Sequence, residues 1–217
     1  MPANLSLSSI PSASGIPRPV WQRLGPAGDP FLNADYLTIL ERHGAAAAAA
    51  GWTPCHLLAT AANGQVVGLL PLYGKRHSHG DFIYDWAWAA AWRQLGLPYY
   101  PKLMSCLPHT PVGGPRLLVA DGVPATAVRQ ALVAGAKALV GRLGASSWHV
   151  ALPTDDEAEL LQGEGLLLSH DVQFHWLDPG CGDFDGYLAT FSAAKRRKVR
   201  AERRRVAESG LTIETRH

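Results

Sequence analysis

His77 and His79 stand two residues apart, and Asp81 and Asp85 follow them closely in the chain. A neutral imidazole is a natural general base near neutral pH, and a carboxylate beside it orients the ring or takes the proton itself. The chemistry this set suits is removal of a proton from an attacking amine, with His77, His79 and Asp85 as the candidate catalytic residues. On an extended segment both rings would point to one side, which also suits metal ligation. No further His or Cys stands at a spacing that completes a zinc site, so no metal is expected. Asp–His and Asp–backbone hydrogen bonds that only hold a loop together are the alternative reading of the same residues.

Tyr99, Tyr100 and Lys102 follow among Pro98 and Pro101, in a segment that reads as extended. A phenol there could meet a leaving group and an ammonium could meet a phosphate; docking of the loop is the alternative. Trp86, Trp88 and Trp92 have the spacing of a helix or an alternating strand, which suits an aromatic core or a cleft wall. Val112-Gly113-Gly114-Pro115-Arg116 is a glycine-rich turn before the apolar run Leu117-Leu118-Val119. It lacks the glycine and lysine pattern of a phosphate cradle, but Arg116 joins Tyr99, Tyr100, Lys102 and His175 as a candidate substrate contact. His149 and His175 lie opposite the apolar faces of their segments. Solvent exposure is the expectation for such a face, and a cleft is the other reading.

The net charge of +2 conceals a division. Residues 192–217 hold nine Lys and Arg against three acids, a local +6, leaving eleven against fifteen, or −4, elsewhere. Lys195, Arg196, Arg197, Arg200, Arg203 and Arg204 are the candidate anion-binding residues of a helix that would be basic nearly all round. Its partner could be tRNA, a nucleotide, a phospholipid or a cell-wall precursor phosphate; a solvated helix partly neutralised by Glu202 and Glu208 is the plain alternative. Cys55, Cys106 and Cys181 are odd in number and far apart, which argues against a disulfide framework and fits a reducing compartment. No stretch approaches the length of a membrane span and no signal peptide is evident, so a cytoplasmic location is expected.

The elements that must position these groups read as α+β. Ser- and Pro-rich residues 1–19 predict a disordered lead-in, and Val20–Leu24 a short first strand. A helix follows Pro30 and stops near Gly44. Cys55–Ala59 and Val66–Leu70 flank Asn63-Gly64, predicting a hairpin with a type I′ turn. Pro124 opens a helix to about Arg142, with Val128, Leu132, Ala136, Leu139 and Leu143 on one face. Trp148–Leu152 alternates as a strand. Thr154 and Glu157 form a capping-box signature. Val172–Trp176 predicts another strand, Asp183 and Ser192 cap two further helices, and Leu211–Thr215 reads as a strand just beginning.

Several of these words, in this order, resemble the FemAB-like family of predicted N-acyltransferases linked to peptidoglycan biosynthesis or recognition. They are Lys75–Gly80, Tyr84-Asp85-Trp86-Ala87-Trp88-Ala89, Leu97–Leu103, Thr110–Arg116, Ser147–Val150, Gln173–Trp176 and Lys195–Arg203. The similarity covers about residues 28 to 217. Asp81 stands where the family pattern usually has Glu, and the chain stops where a second half would begin. The resemblance implies a GNAT-like acyl-CoA N-acyltransferase fold, a central mainly antiparallel sheet flanked by helices, over residues 20–180. Residues 181–217 would then be the basic helical start of a second, truncated unit, so that the C-terminal half of the fold is missing. It implies acyl or aminoacyl transfer from acyl-CoA or aminoacyl-tRNA to an amine on a small molecule or peptidoglycan precursor, with tRNA a partner of the basic helix. The rival reading is a non-catalytic module whose basic helix binds RNA or an anionic lipid or phosphate.

Overall fold

The computed structural model describes residues 5–214, and Cα packing divides the chain into two units, before and after Leu168. The first unit is mixed α+β, as expected. It contains β1 (Ser6–Ile10), α1 (Arg18–Leu24), α2 (Ala34–Arg42), β2 (Trp52–Pro54), β3 (His56–Thr60), β4 (Val66–Leu70) and β5 (Tyr73–Lys75). There follow α3 (Trp86–Gln94), β6 (Lys102–Ser105), β7 (Leu118–Val119), α4 (Ala125–Leu143), β8 (Trp148–Val150) and α5 (Asp155–Gly163). One sheet has the order β1-β3-β4-β7 and is antiparallel throughout. The other has the order β2-β5-β6-β8, and its β6–β8 pair is parallel. The chain leaves the second sheet from β2 into β3 and returns to it from β4 into β5, and the Cys55 amide donates to the Leu72 carbonyl (2.8 Å) across that junction.

The hairpin forms where expected because β3 and β4 are apolar on both faces: Leu57, Leu58, Ala59, Val67, Leu69 and Leu70 are all buried. Each such Leu or Val contributes about 1.5–3 kcal/mol on burial, and Val128, Leu132 and Ala136 of α4 join the same core. The turn differs from the type I′ expectation. Gly64 alone is left-handed (φ 82°), the Ala61 amide donates to the Gln65 carbonyl, and Gln65 donates to the Asn63 side chain. This is a three-residue loop with a left-handed glycine at its end. Leu143, expected on the buried face of α4, is half exposed at the last turn.

Four expectations fail at the ends of the chain. Within residues 5–19, β1 pairs along β3 from Ser6↔Thr60 to Ile10↔His56 in place of a disordered lead-in. Residues 20–24 belong to α1, a helix with Pro19 in its first turn and Val20, Trp21 and Leu24 buried. Residues 172–176 are irregular and not a strand, with Phe174 and Trp176 exposed. Residues 211–214 are not a strand either, and Thr215 lies outside the described residues.

The second unit consists of an irregular lead, α6 (Phe184–Ala189) and α7 (Ala193–Glu208). The Asp183 and Ser192 side chains accept from the amides of Gly186 and Lys195, the two caps the sequence predicts. Trp176, Phe184 and Phe191 pack edge-on or tilted around Tyr187. The Lys195 ammonium lies over Phe191 and the Arg203 guanidinium over Phe184. Among the described residues no helix is long and apolar enough to cross a membrane.

Candidate active site

Strand register assembles the site. Trp52 is paired with Lys75 and Lys75 with Lys102, so one row across β2, β5 and β6 carries an indole and two ammonium groups on one face. Two residues along, Pro54, Tyr73, Met104 and His149 form the next row of that face. Both lysines are completely buried. Burying two cations side by side is costly unless each finds compensation, and the loop between β5 and α3 supplies it.

Lys102 Nζ donates to Asp85 Oδ2 (2.5 Å) and to Ser78 Oγ (2.8 Å). It also lies 2.8 Å from Asp81 Oδ2, an ion pair whose angle falls outside hydrogen-bond geometry. Lys75 Nζ donates to the His79 carbonyl (2.7 Å) and sits 3.5 Å above the Trp52 ring, a cation–π contact. Burial lowers the Lys75 ammonium to about 8, against the opposing pull of Asp81. Asp85 occupies the position before the first turn of α3 without capping it. Its carboxylate turns instead to Lys102 and Tyr99, whose hydroxyl donates to Oδ2 (2.6 Å). Burial pushes Asp85 up, but the hydrogen bonds from Lys102, Ser78 and Tyr99 outweigh it and hold the group below its ordinary value. Burial and the Asp85 carboxylate push the Tyr99 phenol far up.

The loop that carries these groups is strained. Phe82 (φ 58°) and Tyr84 (φ 49°) are both left-handed, a conformation that costs a non-glycine residue about 1 kcal/mol or more. The buried Asp81 and Asp85 anchors on either side hold it in place.

His149 is the residue that sequence reasoning misplaced. The alternation of 148–152 gives its strand correctly, but the face expected to be wet is covered by Tyr99. The Tyr99 hydroxyl lies 3.4 Å from His149 Nε2, and the Ser147 hydroxyl 2.8 Å from the same atom. Burial, and then the Lys102 cation, push the imidazole down to about 4, so it is neutral at physiological pH. Ser78, Lys75 and Asp81 were also missed as a unit, because only strand pairing reveals that Lys75 and Lys102 are neighbours.

The predicted site residues divide. Asp85, Tyr99, Tyr100 and Lys102 come together, with Tyr100 OH 2.8 Å from Ser78 Oγ. His77 and His79 border the same loop, beyond the end of β5 and not on a strand, with ring centroids 5.1 Å apart. His79 is exposed and stacks at a tilt on Trp86; His77 is half-buried against Gly51. Burial, Lys75 and His79 all hold the His77 imidazole below its ordinary value. Lys102 meets carboxylates, not the expected phosphate. Trp86 and Trp88 are exposed on α3, which rules out a core role, and Trp92 stacks on Tyr99.

Arg116 does not fit a substrate contact. It is 2% exposed, and its guanidinium donates to four backbone carbonyls, those of Val112, Gly114, Pro115 and Ala151. It holds its own glycine-rich loop. Glu157 helps: Thr154 caps α5 as expected, but the buried Glu157 carboxylate accepts from the amides of Arg116 and Leu117 and does not complete the capping box. His175 is exposed in the second unit, as are Lys195, Arg197, Arg200, Arg203 and Arg204, while Arg196 is half-buried. Two surface depressions of the first unit lie elsewhere, one lined by Thr126, Arg129, Asp156 and Glu159 and one by Trp21, Asp29 and Asn33. Chemistry, not concavity, locates the site. Among the described residues no three His, Cys, Asp or Glu converge as a metal-ligand set.

The solved structures that resemble the chain include two acetyltransferases. One is the aminoglycoside 6'-N-acetyltransferase AAC(6')-Ih from Acinetobacter baumannii, with TM-score 0.46, 12% identity, and 82% of this chain and 100% of that one covered. The other is an acetyltransferase from Trypanosoma brucei, with TM-score 0.43, 13% identity, and coverage of 81% and 99%. No curated protein matches the chain. Residues 12–217 match the FemAB-like family, described as peptidoglycan biosynthesis/recognition. With that match running over nearly its whole length, the chain belongs to the FemAB-like family of peptidoglycan biosynthesis/recognition proteins.

Proposed function

We propose that the chain transfers an acyl group to the amine of a peptidoglycan precursor, with His77 as the base. The observation that carries this reading is the half-buried imidazole of His77, held below its ordinary value by burial and by Lys75, at the edge of a loop fixed by the Lys102–Asp81–Asp85 ion cluster. The donor is an activated acyl ester; the thioester of acyl-CoA and the ester of aminoacyl-tRNA share that chemistry. The turn into α4 offers Asp121 and no basic residue, and a Cβ at Gly122 would meet open space. That turn therefore does not fit a diphosphate, and no step is assigned to it.

In this reading the amine nitrogen attacks the acyl carbonyl carbon. The C–N bond forms, the bond to the donor's sulfur or oxygen breaks, and the amine proton passes to His77. The departing thiolate or alkoxide then takes up that proton from His77, which returns to its neutral form. The His79 ring lies between those of His77 and Trp86, and Tyr99, which also meets His149, donates to Asp85. Because the His77 imidazole titrates below its ordinary value, the rate should be flat above neutrality and fall as acid protonates the ring.

The test is acyl-group release from a panel of acyl-CoA and aminoacyl-tRNA donors in the presence of muropeptide amines. His77→Ala should reduce turnover by roughly 10²–10⁴-fold, remove the acid limb, and leave the melting temperature unchanged. Turnover with an unaltered acid limb in the variant would remove His77 from the mechanism. Loss of fold in the variant would place His77 among the structural residues.

A further inference from the structure

Helix α7 carries eight Lys and Arg and buries no residue. Its contacts fix which face turns towards α6. Arg196 reaches the Ala189 carbonyl, Arg200 pairs with Asp185 (3.3 Å), and Arg203 and Lys195 cover Phe184 and Phe191. The opposite face carries Arg197, Lys198, Arg204 and Arg205 around Ala201, the i, i+1, i+4, i+7, i+8 spacing of a single helical stripe. Among the described residues the side chains of Arg197, Arg204 and Arg205 make no hydrogen bond or ion pair, and that of Lys198 has only the distant Glu202 (3.9 Å). Four like charges on two turns repel one another, and packing does not require them there.

We propose that this stripe docks the protein on an anionic phospholipid bilayer. Charge complementarity selects a phosphate-bearing surface, since arginine forks match phosphate oxygens. The stripe has no apolar side chain larger than Ala, so it meets headgroups and does not enter the acyl chains. The same unit supplies apolar side chains from another segment: Val172, Phe174, Trp176 and Leu177 are 73%, 98%, 64% and 84% exposed. Aliphatic Val and Leu offer single-stranded bases neither a ring face nor a hydrogen bond but gain by leaving water for lipid, and Trp suits the interface. That combination favours a bilayer over RNA. Docking is independent of the acyl-transfer reading, because none of the stripe belongs to the first unit.

The experiment is co-sedimentation of the full chain with vesicles of phosphatidylcholine alone or with roughly one-third phosphatidylglycerol, each across a salt series. Wild type should partition onto the anionic vesicles only, and the partition should fall steeply as salt screens the charges. Each cation near such a surface strengthens binding about five-fold, so replacing Arg197, Lys198, Arg204 and Arg205 with Gln should weaken it by about 10²-fold or more. Circular dichroism of that variant should match wild type. If the variant does not fold, the wild-type salt and lipid series still decides. Equal binding to both vesicle types, or none to either, overturns the proposal. So does tighter retention of an RNA duplex than of anionic vesicles in the same buffer.

Discussion

Replacing Lys102 with Met tests the electrostatic frame of the site. Lys102 is fully buried, and Asp81 and Asp85, 3% and 5% exposed, meet its ammonium at 2.8 and 2.5 Å. Met preserves most of the side-chain volume but removes the ammonium that, among the described residues, both carboxylates contact, leaving two buried anions facing each other. Breaking a buried pair in this way costs about 3–5 kcal/mol, a large share of the stability of a domain this size. The pH dependence should also change sign. In wild type Asp85 titrates below its ordinary value, so its contribution is present above the unfolded value and is lost as pH falls through the folded one. In the Met variant, burial and like-charge repulsion make the native state take up a proton near neutrality that the unfolded chain does not hold. The variant should therefore gain stability as pH drops from about 8 to about 5, while wild type does not. Urea unfolding followed by fluorescence of the seven tryptophans measures both slopes. Adding Asp85→Asn to Lys102→Met should recover part of the loss, because one uncompensated charge is gone. A Met variant within about 1 kcal/mol of wild type, with the same pH slope, would show that the cluster is hydrated and not a buried ion frame.

Three further perturbations separate structure from chemistry. Arg116→Lys cannot reproduce four carbonyl contacts and should cost about 2–3 kcal/mol in urea unfolding, with KM for the acyl acceptor unchanged; a raised KM at unchanged stability would return Arg116 to the substrate. Gly51→Ala places a Cβ 2.2 Å from His77 Nε2 at φ 74°, so it should cost about 1 kcal/mol and, by displacing the ring, lower turnover as His77→Ala does. Glu41→Gln removes a carboxylate that accepts from Ser12 Oγ, the Ala13 amide, His56 and Tyr73, and should destabilise by about 2–3 kcal/mol at neutral pH. Burial pushes Glu41 up but those donors hold it below its ordinary value, so its contribution is lost as acid titrates the folded group and the difference between Gln variant and wild type should shrink there.

What was legible in the sequence was local. The β3–β4 hairpin announces itself as two apolar runs around Asn63-Gly64 and α4 as one helical apolar period, and the caps at Asp183 and Ser192 because a short side chain precedes its own helix. β1 was illegible for the opposite reason. Ser6, Ser8 and Ser9 are exposed on an edge strand, and such a strand is polar on its outer side and looks like a linker. The site residues show the same limit. Asp85, Tyr99 and Lys102 could be picked out by type, but not what each would meet, because that depends on β5 lying against β6. An ammonium in an extended, proline-bounded segment reads as a phosphate ligand until the loop between β5 and α3 puts two carboxylates beside it. Arg116 reads as a substrate contact until four carbonyls of its own loops surround it. His149 was assigned its strand and then the wrong environment, since alternation separates two faces but does not say what covers the second. Here Tyr99, fifty residues earlier, covers it. A cationic side chain that compensates a fold is compositionally identical to one that awaits a ligand; burial and unspent hydrogen-bond donors distinguish them. By that measure Lys102 and Arg116 are spent within the fold, and among the described residues Arg197, Arg204 and Arg205 belong to the cations left to act outside it.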